Sequence, residues 1–99
     1  MLFREALGEV LRETRLAKGM TLRQASKKGC MALGYLSEIE RGQKELSSEP
    51  LRSLAYGLGI PAHELVFKTG LRMAGLDVPD TAEVLVERIE EYADLVPQN

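Results

Sequence analysis

Between positions 12 and 44 the chain carries eight bases, Arg12, Arg15, Lys18, Arg23, Lys27, Lys28, Arg41 and Lys44, against the acids Glu13, Glu38 and Glu40. Guanidinium and ammonium groups gathered in this way bind phosphate, and phosphate neutralisation is a main source of affinity for nucleic acid. From Asp77 onward the balance reverses. Asp77, Asp80, Glu83, Glu87, Glu90, Glu91 and Asp94 stand against Arg88 alone. Such an asymmetry is expected where one part of a chain meets phosphate and another does not, although two solvated faces would give the same pattern. The formal net charge of −2 conceals it. Other chemistry has few carriers. Cys30 is the single cysteine and His63 the single histidine, so neither an intramolecular disulfide nor a cysteine–histidine metal site is expected. Cys30 reads as a small packed hydrophobe, with redox sensing as the alternative. A Gly-rich phosphate loop, a base-paired nucleophile and a mixed His/Cys/carboxylate cluster are all missing from the sequence, which points away from an enzyme and away from any cofactor.

The elements that would position the basic residues are helices. With 44% hydrophobic and 28% charged residues, the 99-residue chain has the composition of a folded domain with an appendage. No apolar run is long enough to cross a bilayer, and the start of the chain lacks the pattern of a secretion signal. A cytoplasmic location with no membrane partner is therefore expected. Phe3, Leu7, Val10, Leu11 and Leu16 recur at helical spacing and predict a first helix over Leu2 to Lys18, closed by Gly19. Thr21 with Gln24 forms a capping-box pattern and predicts a second helix over Leu22 to Lys28. A third should run from about position 32 to 41, and a fourth follows a Ser47 or Ser48 cap, with Leu51, Leu54, Ala55 and Leu58 inward and Gly59 as its stop. Pro61 opens a fifth helix with Leu65, Val66 and Leu71 inward; Gly70 and Gly75 leave its end open. After the break Val78-Pro79-Asp80-Thr81 a last amphipathic helix should reach Val96. No strand-like alternation interrupts this all-α reading.

The informative stretch is Thr21 to Gly42, TLRQASKKGCMALGYLSEIERG. Two short helices joined by a tight turn pack steeply only if the residue at their crossing is small, and Ser26 takes that place. Met31, Leu36 and Ile39 supply the apolar underside of the third helix. Leu33, Gly34, Ser37, Glu38 and Arg41 then fall outward, as a helix reading the major groove of double-stranded DNA requires.

Here the sequence resembles a known family. GYLSEIERG, preceded by TLRQAS and followed by a loop and LRSLAYGLGIP, is similar to the lambda-repressor-like, or XRE-type, helix-turn-helix family over roughly Leu7 to Phe67. The fold this implies is all-α, a five-helix helix-turn-helix domain placed over residues 1–70; the capped, amphipathic pattern of the tail adds a C-terminal helical extension over 71–99. ALG, VLR, GYLSEIERGQKE and SSE together resemble the Clp gene regulators of actinobacteria, which activate genes of the Clp protease system. The resemblance further implies an internal ion pair between Arg15 and Glu40 that braces the reading unit. Two departures stand out. Cys30 occupies the turn position where the family usually has glycine, so a reshaped turn is expected. Ala32 replaces the usual serine or threonine cap, which forfeits about 1 kcal/mol.

Residue roles follow. Arg23 and Lys27 on the second helix, with Arg41, Gln43 and Lys44 at and beyond the end of the third, are expected at phosphates, where they give affinity and register but no sequence information. Glu38 can accept from a cytosine amino group or, as a solvated acid, repel phosphate. Leu33 can pack on a thymine methyl, Ser37 can bond several base edges, and Gly34 permits close approach. Tyr35 either contacts DNA or packs at the domain edge. No bidentate arginine–guanine contact is evident, so DNA shape should contribute to specificity.

In the tail, Leu85, Ile89, Tyr92 and Val96 form an apolar stripe. It suits a homodimer seam, which would pair two reading helices across half-sites of a palindromic operator; packing back on its own domain is the alternative. The sequence thus supports a DNA-binding transcription regulator, with contact to RNA polymerase if it activates. An antitoxin-type autoregulator and a protein-interaction module on the same fold remain open beside it.

Overall fold

The computed structural model describes residues 1–76. The expected tail helix and its stripe, Leu85, Ile89, Tyr92 and Val96, lie outside the described residues. The described elements are α1 (Phe3–Ala17), α2 (Leu22–Lys28), α3 (Leu33–Glu40), α4 (Ser48–Leu58) and α5 (Ala62–Met73), with no strand among them.

Local chemistry accounts for the boundaries. Thr21 Oγ1 accepts from the Gln24 backbone N–H at 3.1 Å while the Thr21 N–H donates to Gln24 Oε1 at 2.8 Å, so both halves of the capping box form and start α2. At the start of α1 the Leu2 N–H donates to Glu5 Oε1 at 2.8 Å, a carboxylate at a positive helix terminus. Gly59 takes the left-handed conformation and closes α4. The third helix is shorter than its sequence suggests: it ends at Glu40, with Arg41 as the C-cap. Gly70 does not break α5, which continues to Met73.

The core is formed by Leu7, Val10 and Leu11 of α1, Ala25 of α2, Leu36 and Ile39 of α3, Leu54, Ala55 and Leu58 of α4, and Leu65 of α5. Met31, Tyr35 and Leu51 pack on its edge. Removing these side chains from water is the main stabilising term, at about 25 cal/mol per Å² of apolar area. Three expectations of inward packing fail: Phe3, Leu16 and Val66 are exposed. Phe3 is the first residue of α1, and Leu16 stands about 140° round the helix from the buried Leu11.

α1 and α3 approach unusually closely. A Cβ at Gly8 would stand 2.5 Å from the Ile39 carbonyl oxygen and 2.7 Å from that of Glu40. Glycine is therefore required at this crossing, and the contact fixes the C-terminal turn of α3 against α1. On the other side, Arg72 of α5 bonds both Glu9 and Glu13 of α1, tying the last described helix to the first. Those carboxylates hold the Arg72 guanidinium above its ordinary pKa, Glu13 contributing most through its hydrogen bond.

Candidate nucleic-acid interface

α2 and α3 meet through a turn at Gly29–Cys30. Cys30 itself adopts φ 55° and is exposed, not packed as expected, while Gly29 keeps φ −84°. The expected reshaping does not occur: the turn keeps its left-handed residue, and a side chain bears that conformation. Such a residue is disfavoured because its Cβ crowds the carbonyl. The Met31 N–H closes the turn on the Ser26 carbonyl at 3.0 Å. Ser26 is buried, and its hydroxyl donates to the Arg23 carbonyl at 2.9 Å, so the small residue at the crossing hides its polar atom within α2. The Ala32 cap position carries no side-chain bond, as its residue type dictates.

α3 is held from behind. The Arg15 Nε donates to Glu40 Oε2 at 2.8 Å and its Nη2 donates to Oε1 at 2.9 Å. The Nη1 donates to the Met20 carbonyl at 3.0 Å. One guanidinium therefore joins α1, the turn before α2 and the last turn of α3. The paired side chains are only 12% and 7% exposed. The hydrogen bond to Glu40 raises the Arg15 pKa above its ordinary value, against the opposing effect of burial.

With Leu36 and Ile39 buried, Gly34, Ser37, Glu38 and Arg41 recur at i, i+3, i+4 and i+7 along one outer face. Gly34 has open space beside its Cα, so nothing obstructs close approach there. Leu33 is half-buried at one margin of this face. Tyr35 lies at the opposite margin: it packs on the core edge, and its hydroxyl donates to the Glu45 carbonyl at 3.3 Å. Ser37 and Arg41 border a cleft of about 410 Å³ together with Arg12, Arg15, Leu22 and Glu40. Tyr35 borders a different one, against Glu49, Pro50 and Ser53 of α4. The structure thus brings Ser37 and Arg41 together near the start of α2 and separates Tyr35 from them.

Arg23, Lys27, Gln43 and Lys44 are all exposed. Among the described residues no ion pair engages Arg12, Arg23, Lys27, Arg41 or Lys44, whereas Arg4, Arg15 and Arg72 are each paired with a carboxylate. Arg12 is a residue that the sequence reading left out of the site. It faces the Arg41 cleft from α1, and only its presence in the basic run hinted at a role.

Residues 11–65 match the helix-turn-helix family. Over 73 residues, or 74% of its length, the chain is 48% identical to the transcriptional regulator ClgR of Mycobacterium tuberculosis. That match spans 65% of the relative's own length. Among solved structures, the clp gene regulator ClgR from C. glutamicum superposes with a TM-score of 0.70 at 44% identity, covering 74% of this chain and 95% of that one. The restriction-modification controller protein C.AhdI from Aeromonas hydrophila superposes with a TM-score of 0.61 at 32% identity, covering 63% and 94%. These relatives are regulators, not enzymes. The chain belongs to the helix-turn-helix family, on its ClgR-like branch.

Proposed function

We propose that this chain is a sequence-specific DNA-binding transcription regulator which activates Clp protease genes and binds a palindromic operator as a homodimer. The observation that carries the DNA-binding reading is the outer face of α3. Gly34, Ser37, Glu38 and Arg41 lie along one side of a helix braced from behind by Arg15 and Glu40, flanked by basic side chains that no ion pair engages among the described residues. Ser37 and Glu38 reach base edges; Leu33 adds apolar contact at the margin; Arg12, Arg23, Lys27, Arg41, Gln43 and Lys44 meet phosphates. Tyr35 supports this face from its edge and is not a base contact in this reading. Activation of Clp genes is supported by likeness to the ClgR proteins alone.

Two copies are proposed because one short reading helix binds weakly, and two-fold pairing multiplies its affinity. Met73 and Leu76, at and just after the end of α5, are exposed apolar residues, and the chain leads from them into the segment bearing Leu85, Ile89, Tyr92 and Val96. That end of the molecule is the proposed seam. Selection of bound duplexes from a random pool tests the whole reading. Enrichment of a two-fold symmetric site supports it, whereas enrichment of a single half-site removes the dimer and no enrichment removes sequence-specific binding.

A further inference from the structure

Glu45 is an acid in the α3–α4 loop, adjacent to Lys44 and two residues from Gln43. In the interface proposed above, a free carboxylate at that place would oppose phosphate. It is not free. Arg4 Nη1 donates to Glu45 Oε1 at 3.1 Å, and Tyr35 Oη donates to the Glu45 backbone carbonyl at 3.3 Å. The same loop rests on the first turn of α1. A Cβ at Gly42 would stand 3.0 Å from the Cα of Glu5, the residue next to Arg4. The Gln43 N–H donates to the Glu38 carbonyl at 2.9 Å, which fixes where the loop leaves α3.

We propose that Arg4 is a positioning residue for DNA binding: by holding the Glu45 carboxylate toward α1, it neutralises the acid beside Lys44 and leaves Lys44 and Gln43 facing phosphate. This rests on the DNA-binding reading. The pair is exposed, with side-chain accessibilities of 39% for Arg4 and 70% for Glu45. An ion pair so accessible contributes little to folding stability, so its effect falls on the charge presented to DNA. Arg4 thus belongs to the interface without touching it. Its removal uncovers a negative charge, and removal of that charge makes Arg4 dispensable.

Rescue in the double variant, together with wild-type affinity for Glu45→Gln alone, distinguishes this from direct contact, because independent charges would make Glu45→Gln alone bind more tightly. The full chain, Arg4→Met, Glu45→Gln and the double variant are titrated with a mixed-sequence duplex at several salt concentrations, and thermal midpoints are recorded alongside. Arg4→Met should weaken binding by about five-fold, as expected for one exposed charge interaction. Glu45→Gln in the Arg4→Met background should restore affinity to within about two-fold of wild type, with an unchanged midpoint. Arg4→Met with wild-type affinity overturns the proposal. So does a salt slope lowered by about one unit without rescue, since Arg4 would then be a phosphate contact itself. A loss that follows a lowered midpoint overturns it too, because the role would be structural. A wild-type chain that binds no duplex overturns the DNA-binding reading and this inference together, a result distinct from the other three.

Discussion

Arg15 grips Glu40 with two hydrogen bonds of 2.8 and 2.9 Å across 25 positions of sequence, and its remaining nitrogen holds the Met20 carbonyl. The pair is nearly buried, so removal of one partner strands the other's charge. Arg15→Ala should destabilise the fold by about 3 kcal/mol, the cost typical of breaking such a pair. Urea unfolding measures this directly; a loss below about 1 kcal/mol would mean that the pair is screened like a surface bridge. The raised Arg15 pKa also carries a sign. A cation whose folded pKa lies above its unfolded value stabilises fully below the unfolded value and loses that contribution as pH rises through the folded one. For a guanidinium this window lies above the physiological range, so Arg15 should add no pH dependence to stability between about pH 6 and 9.

Cys30 is a non-glycine residue at φ 55°. Cys30→Gly should raise stability by about 1 kcal/mol, as the relief of left-handed crowding outweighs the added unfolded-state entropy. A β-branched replacement such as Cys30→Val should lower it. Thermal denaturation of the two variants tests both directions, and a destabilised Cys30→Gly would show that the thiol side chain supplies packing of greater weight than the strain.

Gly8 leaves no room for a methyl group between α1 and the backbone of Ile39 and Glu40. Gly8→Ala should cost about 2 kcal/mol despite alanine's better helix propensity. Because the displaced element is the last turn of α3, duplex affinity should fall as well. An alanine variant as stable as wild type would place the two helices farther apart than described here.

Much of this architecture was legible beforehand, and the reasons are local. Thr21 with Gln24 announces α2, and Gly59 announces the end of α4, because capping chemistry acts within a few residues. Leu7, Val10, Leu11, Leu54 and Leu58 declare their burial through helical periodicity. Leu16 and Val66 are exposed because they lie off the buried faces of their helices, about 140° from Leu11 and about 100° from Leu65, so apolar type alone misled there. Long-range features leave no local trace. Gly8 reads as a weak helix residue until α3 is laid against it, and the partners of Arg72 lie about sixty positions away. Of the candidate interface, the outward order of Gly34, Ser37, Glu38 and Arg41 follows from the buried positions between them. Tyr35 stayed ambiguous because its anchoring carbonyl belongs to a loop with no periodic signature, and Arg12 was missed because its cleft exists only in three dimensions.

The homodimer seam proposed at the C-terminal end gives a separate expectation. Ile89→Glu places a charge in the middle of the apolar stripe and should shift the protein from dimer to monomer in sedimentation. The desolvation of an unpaired carboxylate opposes association. A dimer that survives this substitution would locate the seam elsewhere.

The most direct test of the central claim is the salt dependence of duplex binding by the wild-type chain and Arg41→Ala. The proposed interface predicts that the logarithm of affinity falls linearly with the logarithm of salt concentration, with a slope reflecting several phosphate contacts. Arg41→Ala should weaken binding to all sequences alike and flatten that slope by about one unit. An affinity indifferent to salt, or a slope unchanged by the loss of Arg41, would contradict the account.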